Sequence, residues 1–345
     1  MNVSLVGATG YGGVELIRLL HQHPVFKLNA IYSHSKGGES IQSYFPHLLG
    51  LCELIMDDID PAAVKAKSDL VFLAVPAGIS RDWSKKLREA GLKVVDLSGD
   101  FRLEDPDEYE TWYKKDAIAP EELEGVVFGL ADVAAEAIKT AEFISNPGCY
   151  PTASLLGLYP LAINGLILPG SIIIDAKSGV SGAGRGASVG SLFCEVADNL
   201  KIYKVSQHQH TPEIEQQLNK WDPAIGLITF ETHLIPMNRG IMVTEYVELV
   251  SPMTARELHD LYSETYQNAP FVRVRPLGEF PSTKEVQGSN YCDIGVTVNP
   301  RTGKALIVAV LDNLVKGAAG QAVQNANIWT GQDPATGLEL VPMYP

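Results

Sequence analysis

Cysteine is rare in this chain and never arranged for pairing. Cys52, Cys149, Cys194 and Cys292 lie far apart, with no Cys-x-x-Cys spacing. That pattern excludes a zinc ribbon and a disulfide framework and predicts a reducing cytoplasm as the setting. Positive charge is also short: 27 lysines and arginines stand against 41 aspartates and glutamates, a formal net charge of −14. Such a surface repels nucleic acid and anionic membrane, so neither is an expected partner. An anionic substrate must instead be held by local cations. No basic leader and no apolar run of membrane-spanning length is present, so neither export nor insertion is expected. Repeats, low-complexity tracts and flexible linkers are absent too.

What remains is a chain of 345 residues, 46% hydrophobic, long enough for two domains with separate cores. Its first third alternates buried-type runs at 3–6, 28–32, 70–75 and 94–97 with amphipathic stretches at 12–21 and 80–90. That rhythm predicts βαβ units and a parallel sheet, an α/β Rossmann-type nucleotide-binding domain. Gly7, Gly10 and Gly13 fall between the first strand and the first helix with the spacing GxxGxxG. Glycines at such a turn let the backbone approach a pyrophosphate at a helix N-terminus.

An NAD enzyme would place an acid about 20 residues further on. Here the second strand ends in Ile31-Tyr32-Ser33-His34-Ser35-Lys36, with no carboxylate before Glu39. Hydroxyls of Ser33 and Ser35 and the Lys36 cation can receive a 2′-phosphate, which favours NADP; the alternative is a solvated loop. Ala74 and Pro76, at the carboxyl end of another strand, should lie along the same cofactor.

Beyond residue 150 the texture changes. Strands at 171–176, 224–234, 242–249, 272–275, 291–298 and 305–311, with fewer helices, predict an α+β domain with a mixed or antiparallel sheet. The transition carries Ser145-Asn146-Pro147-Gly148-Cys149-Tyr150-Pro151-Thr152-Ala153. Pro147 and Gly148 form a tight turn, Pro151 suits a first helical turn, and 152–163 reads as an apolar helix. Cys149 therefore sits at a helix mouth, where the dipole lowers a thiol pKa and backbone N–H groups can receive an oxyanion. A cysteine that merely packs has no need of that turn.

His208 and His210 precede Thr211-Pro212-Glu213, which reads as an N-cap, a first-turn proline and a first-turn acid. In an extended segment both imidazoles would face one cleft, supplying a base and acid for the thiol with Glu213 to orient it. The spacing alone does not separate the two histidines. A zinc site would need further ligands, which no second cluster supplies, so no metal is expected. Arg102 and Arg185 each end a Gly-containing loop, where a guanidinium suits phosphate or carboxylate. The alternative for each is a structural ion pair.

The run around Cys149 resembles the active-site signature of the N-acetyl-γ-glutamyl-phosphate reductase family, within the aspartate-semialdehyde dehydrogenase superfamily. Five further segments extend the resemblance in order: Gly7-Ala8-Thr9-Gly10-Tyr11-Gly12-Gly13, Asp96-Leu97-Ser98-Gly99-Asp100-Phe101-Arg102, Ser178-Gly179-Val180-Ser181-Gly182-Ala183-Gly184-Arg185, His208-Gln209-His210-Thr211-Pro212-Glu213 and Asp312-Asn313-Leu314-Val315-Lys316-Gly317-Ala318-Ala319-Gly320. The resemblance implies NADPH-dependent reduction of an acyl phosphate to a semialdehyde through a cysteine thioester, in arginine biosynthesis. It implies His210 as the acid and base with His208 beside it, Thr9, Tyr11, Gly12 and Gly13 on the cofactor, and Ser178, Gly179, Gly182, Ala183 and Asn313 near the nicotinamide. Arg102, Arg185, Ser98 and Asn146 fall to the substrate. It further implies a nucleotide domain of residues 1–147 with 314–345, a catalytic and dimerisation domain of 148–313, and a homodimer or homotetramer. Three other readings stand beside it: aspartate-semialdehyde dehydrogenase, a lysine-pathway aminoadipyl-phosphate reductase, and a nucleotide-binding redox sensor.

Overall fold

In the computed structural model, which describes residues 1–33 and 36–344, seven strands form a wholly parallel first sheet. They are β1 (Asn2–Val6), β2 (Lys27–Tyr32), β3 (Met56–Asp57), β4 (Leu70–Leu73), β5 (Lys93–Asp96), β6 (Val126–Phe128) and β7 (Phe143–Ser145), ordered β3-β2-β1-β4-β5-β7-β6. The central strand β4, Leu-Val-Phe-Leu, is buried at every position. A parallel sheet covered on both faces requires such uninterrupted apolar runs. Helices α1 (Tyr11–His21) and α2 (Ser80–Glu89) follow β1 and β4. The strand order reverses direction between β1 and β4, the place beyond which open α/β sheets bind ligands.

The second sheet is mixed: β8 (Ile173–Ser178), β9 (Lys201–Tyr203), β10 (Thr229–Leu234), β11 (Ile241–Val247), β12 (Val272–Val274), β13 (Cys292–Val298) and β14 (Ala305–Leu311), ordered β12-β13-β14-β11-β8-β10-β9. Strands β11, β14 and β13 pair antiparallel, whereas β10 runs parallel to β8. Helices α3 (Cys149–Ala162), α4 (His210–Trp221) and α5 (Ala255–Tyr266) belong to this half, and α6 (Gly320–Trp329) ends the helical order.

The chain divides into one compact unit of Met1–Gly148 with Ala318–Leu340, and a second that starts at Cys149, runs to Gly317 and is rejoined by the tail from Val341. The expected division at 313/314 needs correction in two places. Residues 314–317 belong to the second unit, because the Asp312 carboxylate accepts the N–H groups of Leu314 and Val315 and the Asp312 carbonyl that of Gly317. The tail also belongs there, where the Met343 N–H donates to Gln287 O at 2.8 Å. After β14 the chain forms a π-helical turn, Val315–Ala319, followed by α6. Strands β3, β6, β7 and β9, of two or three residues, are too short to leave an alternation in the sequence.

Gly7 fixes the nucleotide turn. Its φ is +91°, and a Cβ there would lie 2.3 Å from Ala74 O at the end of β4. Gly7→Ala should therefore destabilise the protein by about 1–3 kcal/mol from backbone strain alone. Thermal melts check this; an unchanged midpoint would show that the turn relaxes at no cost.

Candidate active site

The α1 N-terminus has the features of an anion cradle. Its N-cap is Gly10, which has no side chain to cap the helix, and no acid stands in the first turn. Gly13 is required by packing, since a Cβ would meet Gly7 O at 2.4 Å, but a Cβ on Gly12 would meet nothing within 4 Å. Gly12 thus leaves open space at a helix end that carries partial positive charge, as a pyrophosphate needs. Ala74 joins the cradle through its N–H to Val6 O, 2.9 Å. At the end of β2 the Ser33 side chain is buried and its N–H donates to Asp57 O. Lys36 Nζ lies 3.6 Å from Glu39 and 5.8 Å from the Tyr44 ring centroid. Ser35 lies outside the described residues.

Next to this cradle, three residues expected on the substrate have protein partners. Ser98 Oγ donates to Asp96 at 2.6 Å and accepts the Asp100 N–H at 3.1 Å. Asn146 is 1% exposed; its amide donates to Ala318 O and accepts from Asn325 Nδ2 at 3.0 Å. Arg102 donates through Nε to Asn146 O at 2.9 Å and through Nη2 to Leu97 O at 2.8 Å. These bonds run to main-chain carbonyls, so they differ from the ion pair that was the alternative for Arg102. Both Ser98 and Asn146 hold loops. Their polar text reads like a ligand set, and only the fold shows which way each group is turned. Asp96, fully buried, has its carboxyl pushed up to about 6 by desolvation, against the hydrogen bonds of Ser80 and Ser98.

In the second unit, α3 begins at Cys149 itself, three residues ahead of the expected start. Cys149 is half-buried, and every residue from Tyr150 to Leu158 is buried. The nucleophile candidate is thus the first residue of a helix with no solvent face. His208 and His210 do converge, with ring centroids 4.7 Å apart and planes at 59°. Extended backbone is not the reason. Gln209 is helical (φ −61°, ψ −11°), α4 starts at His210, and Thr211 lies inside the helix, so it is not the N-cap. The pair is set by the His210 N–H donating to His208 Nδ1 at 3.1 Å. That bond makes His208 Nδ1 an acceptor, so the neutral ring carries its proton on Nε2.

The two histidines then separate by environment. Burial, with Lys204 as the lesser cause, lowers the His208 pKa to about 3. His208 is packed edge-on against Tyr150, Tyr203 and Phe230 at 5.5, 5.7 and 5.6 Å. His210 instead has Nε2 4.0 Å from the fully buried Glu213 carboxylate. A ring as buried as that of His208 takes up no proton near neutrality, so His210, with a carboxylate beside it, is the candidate of the two for proton transfer. The sequence reading missed Tyr150 and Tyr203, whose hydroxyls lie 3.2 Å apart. Tyr150 stood in the quoted signature; Tyr203 carried no signal.

The Gly-rich loop after β8 is pinned rather than loose. The N–H groups of Gly179, Val180 and Ser181 donate to Gly240, Met237 and Asn238 carbonyls. Asn313 closes it, accepting the Gly240 N–H at 2.8 Å and donating to Ser181 Oγ at 3.0 Å. Ser178 is buried, and a Cβ on Gly182 would lie 3.0 Å from Ser178 Oγ. Ala183 and Arg185 are exposed. Among the described residues no group of three or more His, Cys, Asp or Glu converges as metal ligands.

Comparison with known proteins matches residues 2–141 to the semialdehyde dehydrogenase NAD binding domain and 149–313 to the semialdehyde dehydrogenase dimerisation domain. The chain is 53% identical over 345 residues, 100% of both sequences, to the N-acetyl-gamma-glutamyl-phosphate reductase of Bacillus subtilis. It is 52% identical over the same full span to that of Geobacillus kaustophilus. Among solved structures, aspartate semialdehyde dehydrogenase II of Vibrio cholerae superposes with a TM-score of 0.72 at 17% identity, over 96% of this chain and 98% of that one. The Candida albicans aspartate semialdehyde dehydrogenase with NADP gives 0.71 at 18% identity, over 95% and 98%. At those identities the structures speak for the fold.

The neutral state of His208 sets a pH dependence. Its folded pKa lies below the ordinary 6.5, so its contribution to stability is complete above pH 6.5 and is lost as pH falls toward 3, while the unfolded chain takes up the proton. Each pH unit in that window should cost about 1.4 kcal/mol through this residue. Chemical denaturation between pH 7 and 4 should show a shallower acid limb for His208→Gln than for the parent. Parallel limbs would mean that His208 is already charged in the folded protein.

Proposed function

The chain belongs to the semialdehyde dehydrogenase family, and from that premise we infer that it reduces N-acetyl-γ-glutamyl phosphate to N-acetylglutamate 5-semialdehyde and phosphate with NADPH, in arginine biosynthesis. One observation carries the chemistry: Cys149 opens a helix buried on every side, in the unit where His210 faces Glu213. Substrate identity rests on full-length relatives at 52–54% identity that carry this one name, and neither aspartate-semialdehyde dehydrogenase nor a lysine-pathway reductase is favoured.

The Cys149 thiolate attacks the γ-carbonyl, the carbon–oxygen bond to phosphate breaks, and phosphate leaves a thioester on the enzyme. First-turn N–H groups of α3 stabilise the oxyanion. His210, held by Glu213, takes the thiol proton, gives a proton to the tetrahedral oxygen, and recovers it as the carbon–sulfur bond breaks to release the aldehyde. Bound NADPH supplies the hydride that makes the acyl group an aldehyde. The open α1 N-terminus with Thr9, Gly10, Tyr11 and Gly12 suits its pyrophosphate, and Ser33 and Lys36 suit its 2′-phosphate. Arg185, on an exposed loop, and Arg102, through its charge, are assigned to the anionic groups of the substrate.

Copies of the chain associate through the second unit, and we assign a homodimer. What supports this is a stretch in which Val189, Leu192 and Phe193 are 73, 52 and 82% exposed. Apolar groups gathered like this mark an interaction surface. Among the described residues no helix is long and apolar enough to cross a membrane; we assign the protein to the cytoplasm from its biosynthetic role.

The deciding experiment is phosphate-dependent NADP reduction with a panel of semialdehydes. N-acetylglutamate semialdehyde should be far ahead; equal turnover of aspartate semialdehyde would overturn the substrate. Cys149→Ser should abolish turnover while NADPH still binds, and His210→Asn should lower kcat by about two to four orders of magnitude. Sedimentation tests the assembly: Phe193→Asp should shift the dimer toward monomer, and an unshifted dimer would remove this surface.

A further inference from the structure

Strand β14 ends at the buried Leu311, and the next residue, Asp312, is 0% exposed. Its Oδ1 accepts the N–H groups of Leu314 at 2.8 Å and Val315 at 3.2 Å, and its Oδ2 accepts the Gly288 N–H at 2.7 Å. Arg239 Nη1 lies 3.5 Å from the same Oδ2. The Asp312 carbonyl accepts the N–H of Gly317, five residues on, at 3.0 Å. That i to i+5 bond opens the π-helical turn, and π-turns of this kind gather at functional sites. An α-helical bond would have presented Lys316 instead. Lys316 is itself fully buried, with Nζ 5.7 Å from the Phe271 ring centroid.

The wide turn brings Gly317 against the nucleophile. A Cβ on Gly317 would lie 2.8 Å from Cys149 Cβ, 3.2 Å from Cys149 Cα and 3.2 Å from Leu311 Cδ1. Only glycine fits there, and the Cys149 side chain is seated on its backbone. We propose that Asp312 is a positioning residue for Cys149, acting through the π-turn that presses Gly317 against it. This rests on the reading of Cys149 as the nucleophile. A carboxylate with three backbone N–H bonds and an arginine fixes the turn more firmly than an amide would, because charged acceptors bind N–H groups more strongly.

Two measurements on the full-length protein test the assignment. One is the rate of Cys149 alkylation by iodoacetamide against pH, followed on the Cys149 peptide by mass spectrometry; the sulfur displaces iodide and no substrate is involved. The other is steady-state turnover of N-acetylglutamate semialdehyde with NADP and phosphate. Asp312→Asn should slow alkylation, shift its pH midpoint and lower kcat about tenfold to a hundredfold with KM close to the parent, as misplacement of a reacting group does. Gly317→Ala keeps the Asp312 carboxylate and should do the same, so the seat can be tested even where Asp312→Asn does not fold. A lowered melting temperature with unchanged alkylation profile and kcat in the folded variants would overturn the proposal and leave Asp312 a structural residue. If the variants alter alkylation but the parent turns over no semialdehyde, the positioning role stands and the reaction assigned above fails.

Discussion

Burial of α3 on every side is the constraint on which the catalytic half depends, because a helix with no polar face has one position and its first residue inherits that position. Its interior carries Pro160, which offers no N–H to the carbonyl of Leu156. The Tyr266 hydroxyl donates to that carbonyl from α5, and Tyr262 donates to the carbonyl of Gly157. Gly157 is small for a reason. A Cβ there would lie 2.2 Å from Glu245 Oε2, on β11. Glu245 is fully buried, and desolvation raises its pKa well above the usual carboxylate value. Truncating any leucine in this helix would open a cavity worth about 2–5 kcal/mol, which sets the scale of the force holding Cys149 in place.

The histidine pair shows how one short turn yields two different imidazoles. His208 is sacrificed to structure: ringed by aromatics and accepting the His210 N–H, it has no proton to exchange at neutral pH. His210 gains from this. Its backbone is fixed by His208 and its ring by Glu213, while His208 adds no positive charge that would repel an imidazolium on His210. A pair of equivalent histidines would have competed for one proton.

Much of the fold was readable in the sequence because local patterns carried it. The alternation of apolar runs announced the parallel sheet, and Gly7, Gly10 and Gly13 announced its first turn. Cys149 was legible from its Pro-Gly turn. What escaped the reading depends on which way each side chain is turned by the fold. Ser98 and Asn146 look like ligand groups as text, yet their bonds run to Asp96, Asp100, Ala318 and Asn325. His208 and His210 share a side through a helical Gln209, which a period-two argument does not foresee. The π-turn at 315–319 makes no break in hydrophobic period, since it is opened by the Asp312 carbonyl and held by the Asp312 carboxylate.

Two helix N-termini in the first unit make the choice of phosphate site explicit. The segment that opens α2 is closed by the protein's own acid: Asp100 accepts the Gly78 N–H through both oxygens at 2.7 Å and the Arg81 N–H at 3.1 Å. Tyr109 donates to the same carboxylate at 2.6 Å. The α1 N-terminus has no such acid, and its cap is a glycine. Both ends carry the partial positive charge that attracts an anion. Filling one with a tethered carboxylate removes it as a competitor and leaves α1 for a diffusible phosphate. In a chain with a net charge of −14 an incoming polyanion meets repulsion over most of the surface. In the proposed cofactor site the uncapped helix is therefore assigned both the affinity and, because its neighbour is occupied, the address.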